Sequence, residues 1–257
     1  THDPVELPAA AGKFRGRENI VTRYLMNNSE RLSEEDYFPA RTARAAAQWL
    51  ERNYKKPFFL YVDTFDPHEP WDPPAHYVEK YMKGYNGEAV IYPRYDVASY
   101  LTDEELRYCR ALYAGEVSLV DHWVGHLLQR VEDLGLYDNT MVIFMADHGF
   151  FLGEHGYIGK WLISPDAQQG LPLYPEVANI PFLVRLPGAA RTGRVKAYAQ
   201  PVDVMPTVLD FLGVPIPETV QGHSLMPVIS GEKEQVRPFC VSSPTISGAQ
   251  IKVPHPS

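Results

Sequence analysis

The alternation of apolar and polar positions divides the chain into helices and short buried runs. Ala43, Ala46, Ala47, Leu50 and Tyr54 recur at helical spacing, which predicts an amphipathic helix over 39–53. Pro39 suits the first turn, where its missing N–H costs nothing. The aromatic-rich run at 58–62 follows Pro57 and reads as a buried strand. Asp63-Thr64 ends it, and the four prolines between positions 67 and 74 exclude regular structure there. Thr102-Asp103-Glu104-Glu105 has the form of a capping box. The helix that it opens keeps Leu106, Tyr113, Val117, Val120, Val124, Leu127, Leu128 and Val131 on one face and runs to Leu134. That makes it about 45–50 Å long, with Gly115 a candidate bend and Gly135 a stop.

The continuous apolar run at 140–146 is the strongest strand signal, and such a strand is expected to be covered on both faces, as in a parallel α/β sheet. A second strand is expected at 180–186, ended by Pro187-Gly188, then a helix over 202–212 and the start of another strand at 239–241. Residues 1–32 show little periodicity and read as loop-rich. The order of elements is that of an α/β protein. Asp63 and Asp147 fall at strand ends, where open α/β sheets gather their active sites.

Composition narrows the function classes. The 257 residues suffice for a real core, and 45% of them are apolar. A net charge of −8 argues against a nucleic-acid partner. No stretch approaches the roughly 20 apolar residues of a membrane span. Cys109 and Cys240 have no metal-binding spacing and read as two free thiols or one disulfide. The chain opens at Thr1, and 1–12 lacks the apolar centre of a signal peptide. The expectation is a chain that begins inside a longer protein or was processed. Localisation stays open.

The informative chemistry is Ala146-Asp147-His148-Gly149 followed by Leu152-Gly153-Glu154-His155-Gly156-Tyr157-Ile158-Gly159-Lys160. A carboxylate and an imidazole leave a buried strand together, a pairing that suits a divalent cation. The glycines allow close backbone approach to a ligand, and the lysine suits an oxyanion such as sulfate or phosphate. Two side chains are too few to hold a metal.

The run from Asn139 to Lys160 resembles the second signature region of sulfatases, within the alkaline phosphatase superfamily. Asp-His in place of Asp-Asn resembles the phosphonate monoester hydrolase and choline sulfatase branches. Other stretches agree in the family order: the Pro67-His68-Glu69-Pro70 loop, the helix around Ala114 to Gly125, Pro181 to Gly188, Val202 to Thr207, and Gly222-His223-Ser224-Leu225. The resemblance implies an alkaline-phosphatase-like mixed, mainly parallel sheet flanked by helices. Residues 1–235 would be the carboxy-terminal part of a catalytic domain, and 236–257 the start of an incomplete carboxy-terminal subdomain or a tail. It implies Asp147 and His148 as metal ligands, Lys160 as the contact to the substrate oxyanion, and His68 beside the leaving group. The implied cation is Ca²⁺, with Mn²⁺ or Zn²⁺ left open by His148. The implied partner is a small-molecule or saccharide sulfate or phosphonate ester, and oligomerisation stays open.

One departure is plain. The C/S-x-P/A-x-R motif that supplies the formylglycine nucleophile of the family is absent, as is its earlier Asp pair. The implied mechanism therefore needs an upstream segment to attack sulfur or phosphorus, while Lys160 stabilises the oxyanion and His68 protonates the leaving oxygen. The chain alone is expected to be inactive. Two other readings stand beside this one: a non-catalytic remnant, and a superfamily phosphodiesterase with two metals. Plainer roles remain for single residues: a loop-capping pair at Asp147-His148, a solvated Lys160, an ordinary loop histidine at 68. His155 is left out of the catalytic set, and Trp71, Tyr157 and Trp161 line a pocket or pack the loops.

Overall fold

The structure is a computed structural model and describes residues 6–16, 18–163, 168–188 and 192–243. It divides into two compact units: one of residues 1–143, 149–171 and 184–188, the other of 144–148, 172–183 and 189–257.

The first unit is built on two helices, α2 and α4, each preceded by a shorter one. Helix α1 (Glu18–Asn28) precedes helix α2 (Phe38–Asn53), and α3 (Ala75–Val78) precedes the long α4 (Asp103–Asp133). The expectation of a loop-rich start is corrected at α1: its buried Val21 and half-buried Leu25 join the main apolar cluster. Helix α2 buries Ala40, Ala43, Ala46, Ala47 and Leu50, the stripe that its spacing predicts. Small residues on that stripe let α2 lie close against α4, where Ala40 and Ala43 meet Leu119 and Trp123. Helix α4 opens with the predicted capping box: Thr102 accepts from the Glu105 N–H, and the Glu105 carboxylate accepts from the Thr102 N–H. Its 31 residues span about 46 Å, and Gly135, at φ +67°, takes the left-handed turn that stops it. The helix runs unbroken through Gly115, so that residue serves close approach instead of a break. A methyl group there would stand 3.0 Å from Pro73 and 3.2 Å from Val78.

The segment 58–62 is not a strand. Phe58 and Leu60 pack with Leu50, Val131 and Leu136, while Phe59 and Tyr61 are 75% and 76% exposed. The side chains alternate as in a strand, but no strand among the described residues pairs with this backbone. Hydrophobic run and ladder are separate requirements, and only the first is met here.

Strands β1 (Asp96–Val97), β3 (Phe151–Leu152) and β4 (Tyr157–Gly159) form a three-stranded antiparallel sheet in the order β1-β4-β3, with β2 (Val142–Met145) lying between β1 and β3 in sequence. Strands β5 (Trp161–Ile163) and β6 (Gln168–Gly170) form an antiparallel pair. The predicted strands at 140–146 and 180–186 appear as β2 and β7 (Phe182–Arg185), paired with each other. Full cover on both faces is not found for β2: Phe144 is exposed and the rest half-buried, and β7 is its one partner strand among the described residues. No helix among the described residues is long and apolar enough to cross a membrane.

The second unit contains α5 (Pro175–Ala178), α6 (Val204–Phe211) and α7 (Met226–Ser230). Its hub is Asp203, which is fully buried. The Asp203 carboxylate accepts from the Gln200 N–H at 2.8 Å, the His223 N–H at 2.9 Å and the Arg237 guanidinium. Thr207 donates to the Asp203 carbonyl at 2.6 Å and accepts from the Leu225 N–H at 2.9 Å. Gly222 has no room for a side chain, since a methyl group would stand 1.9 Å from the Val202 carbonyl. These contacts give a physical reason for the Val202–Thr207 and Gly222–Leu225 motifs. The strand expected at 239–241 is absent: Phe239 and Val241 are exposed, and the Gln200 side chain takes the Val241 carbonyl. Residues 244–257 of the expected tail lie outside the described residues.

Asp203→Ala should destabilise the second unit by about 3–5 kcal/mol, because it strands a buried guanidinium and two backbone donors. Denaturant unfolding followed by a probe in that unit checks this, and a loss under 1 kcal/mol would contradict it.

Candidate active site

Asp147 and His148 belong to the second unit, and His68 and Lys160 to the first. Each pair has its own surroundings.

Asp147 and His148 leave the end of β2. The Asp147 side chain is 87% exposed, and its Oδ1 accepts from the His148 N–H at 2.8 Å. That local bond turns the carboxylate back over its own neighbour, so that Oδ2 lies 3.4 Å from His148 Nε2. The two side chains thus face each other. In kind they fit a divalent cation, one carboxylate and one imidazole. In number they do not: no group of three or more metal-binding side chains forms among the described residues.

His68 sits in the loop that follows the exposed segment. Its ring lies 4.4 Å from the Phe65 ring, centroid to centroid. Its Nδ1 is 2.8 Å from the Glu69 carbonyl and 3.3 Å from Glu69 Oε2. Glu69 is only 1% exposed. Its Oε1 receives the Arg15 guanidinium at 2.8 Å and the Tyr95 hydroxyl. Arg15 in turn lies over the Tyr92 and Tyr95 rings, at 4.4 and 4.2 Å.

Lys160 stands between β4 and β5, half-buried. The preceding Gly159 has φ +110°, and a methyl group there would stand 2.6 Å from Tyr95 Cγ. The Ile163 N–H donates to the Tyr95 carbonyl at 3.2 Å. Tyr95 reaches both neighbourhoods: its hydroxyl bonds Glu69, next to His68, and its ring packs under Gly159, next to Lys160. The glycines of the run differ in their surroundings, and Gly156 has open space beside it. Gly153 and Gly159 admit Leu106, Arg110 and Tyr95 of the same unit, so their close approach serves internal packing. His155, with φ +56°, continues this left-handed turn beside Gly153 and Gly156.

The rest of the His68 loop is held by acids. Trp71 is fully buried and packs edge-on against Tyr113 and Phe150, while its indole N–H donates to the Pro67 carbonyl at 3.0 Å. Of the two roles open to Trp71, the structure gives packing. Asp72 accepts from Arg31 at 2.9 Å and from the Tyr24 hydroxyl, which ties the loop to α1. Asp66 is buried against Glu116 of α4. Burial pushes both carboxyls above their ordinary range, and the charges of Asp66 and Asp72 push Glu116 further. Asp66 Oδ2 and Glu116 Oε2 meet no donor among the described residues. Packed together away from donors, the two acids favour holding a proton over both being charged.

Glu69 and Glu116 were not among the residues singled out from sequence. A carboxylate at every third position, Asp63, Asp66, Glu69 and Asp72, was the available signal.

With this geometry in place, comparison with known proteins is decisive for the class. The phosphonate monoester hydrolase of Agrobacterium radiobacter superposes with a TM-score of 0.62 at 25% identity, over 78% of this chain and 43% of that one. The α/β fold is that of the alkaline phosphatase superfamily. The sequence model described as Sulfatase matches residues 9–214, and the chain belongs to the sulfatase family. The N-acetylglucosamine-6-O-sulfatase of Bacteroides thetaiotaomicron is 35% identical over 167 residues, 64% of this chain and 26% of the relative. The endo-4-O-sulfatase of the same organism is 32% identical over 239 residues, 88% of this chain and 44% of the relative. The chain thus spans less than half the length of either relative.

The acid pair generates a pH prediction. Carboxyls of the unfolded chain titrate at about pH 4. Above that pH the folded pair keeps a proton that the unfolded chain has released, so stability falls as pH rises, by up to about 1.4 kcal/mol per pH unit. Glu116→Gln, neutral at every pH, should flatten that decline between pH 5 and 8. Urea midpoints for parent and variant at several pH values measure it, and parallel curves would rule it out.

Proposed function

We propose that these residues are the carboxy-terminal part of a hydrolase of sulfate esters, with saccharide sulfates as the favoured substrate class. The observation that carries this reading is the run from Asp147 to Lys160 within the matched family region. The sulfatase relatives named for saccharide positions support the substrate class. The phosphonate monoester hydrolase fold keeps phosphonate esters as the second class to test.

In this reading Lys160 faces the non-bridging oxygens of the ester. Its ammonium stabilises the negative charge that builds on them as the bond to the leaving group breaks. His68 presents Nε2 to the leaving oxygen and gives it a proton. Asp147 and His148 are two of the ligands of a divalent cation, Ca²⁺ by the oxygen-rich character of such sites, which supplies further charge stabilisation when bound. The remaining ligands and the nucleophile come from outside these residues, because no C/S-x-P/A-x-R motif occurs in them. A phosphodiesterase with two metals would need more Asp and His ligands than the described residues gather.

In the full-length protein, Lys160→Ala should lower kcat/KM on sulfate esters by roughly 10²–10³, the usual cost of removing one oxyanion-stabilising group. Kinetics on a panel of sulfate, phosphonate and phosphate esters check both this and the substrate class. A loss below threefold would place Lys160 outside the site. Asp147→Ala should lower the bound divalent metal, measured by elemental analysis, and unchanged metal content would remove Asp147 from the ligand set.

A further inference from the structure

We propose that Glu69 is a positioning residue for His68, a deepening that rests on the reading of His68 as the acid. The two oxygens of the Glu69 carboxylate have different tasks. Oε1 is fixed by Arg15 at 2.8 Å and by the Tyr95 hydroxyl. Oε2 is left facing His68 Nδ1 at 3.3 Å, next to the Glu69 carbonyl at 2.8 Å from the same nitrogen. Both groups around Nδ1 are acceptors, so Nδ1 carries hydrogen and Nε2 becomes the working nitrogen. The Phe65 ring, 4.4 Å away, limits tilting of the imidazole.

An imidazole held in this tautomer protonates a leaving group only from its doubly protonated form. As the S–O bond breaks, its electron pair goes to the leaving oxygen. The Nε2–H bond then breaks and an O–H bond forms, leaving the neutral ring with hydrogen on Nδ1. Solvent water reloads Nε2. The carboxylate beside Nδ1 accepts its hydrogen and so keeps Nε2 turned outward for this step, and it is oriented for that by its own anchors. The same anchor, Tyr95, packs under Gly159 beside Lys160. Glu69 therefore couples the placement of the acid to that of the oxyanion contact.

Glu69→Gln is the direct test in the full-length protein. The amide keeps an acceptor for Arg15 and Tyr95, but it loses the charge and can turn a donor toward Nδ1. Sulfate esters of unactivated alcohols, which need protonation, should lose roughly tenfold in kcat/KM, whereas nitrophenyl sulfates should stay within about twofold. His68→Ala should show the same selectivity, and the double variant no further loss. The ring ¹⁵N spectrum of His68 should change from the Nδ1–H tautomer to a mixture with Nε2–H, a change that a merely structural role does not produce. If Glu69→Gln does not fold, Tyr95→Phe keeps the carboxylate and loosens it, and should give the same selectivity at about threefold. An unchanged ring spectrum with equal losses on all esters overturns the proposal. If His68→Ala is itself indifferent to the leaving group, the acid reading falls and this proposal with it. If His68→Ala is selective and Glu69→Gln is not, the acid reading stands and the positioning role of Glu69 alone is overturned.

Discussion

Carboxylates leave water only in company, and the loop that carries His68 buries several of them. Desolvating one unpaired charge would cost more than a domain of this size has in net stability. Each of these buried acids therefore has its own partners. Asp66 lies against Glu116 of α4, where burial favours the protonated carboxyl, Glu69 is neutralised by Arg15 and bonded by Tyr95, and Asp72 is met by Arg31 and Tyr24. The partners come from the amino-terminal segment, from α1, from the stretch before β1 and from the long helix. A loop without regular structure thus acquires a fixed shape, because moving it would separate several buried charges from their partners at once.

The Lys160 side is held by different means. Here the constraint is steric. Gly153 and Gly159 occupy positions where a side chain would collide with α4 or with Tyr95. The backbone around β4 is therefore set by contact, and the polar ties to α4 are few, such as Arg110 to the Leu152 carbonyl at 2.7 Å. Tyr95 belongs to both regimes, with its hydroxyl in the charged network and its ring against the glycine.

The helices were legible because their signals are local, and the signal of the candidate run at 147–160 is local as well. Helix α2 announces itself by Ala43, Ala46, Ala47, Leu50 and Tyr54 at helical spacing, and α4 by Thr102 and Glu105. Asp147, His148 and Lys160 stand out because strand, glycines and charge fall within one short segment. Helix α1 was hidden, since its short run depends on tertiary anchors such as Val21 and Tyr24 more than on its own periodicity. The segment at 58–62 has a strand's side-chain pattern, but no pattern can supply a neighbour to bond with. Glu116 was unreadable for a related reason. On an amphipathic helix a glutamate counts as a solvent position, and only the fold shows that this one faces another acid.

The backbone at 58–62 has a consequence of its own. It holds aromatic rings toward solvent on alternate positions, and its amides and carbonyls lack a ladder among the described residues. Such a ribbon is a template for an added strand, and two of them can zip together. A single lysine in place of Phe59 or Tyr61 would blunt that template.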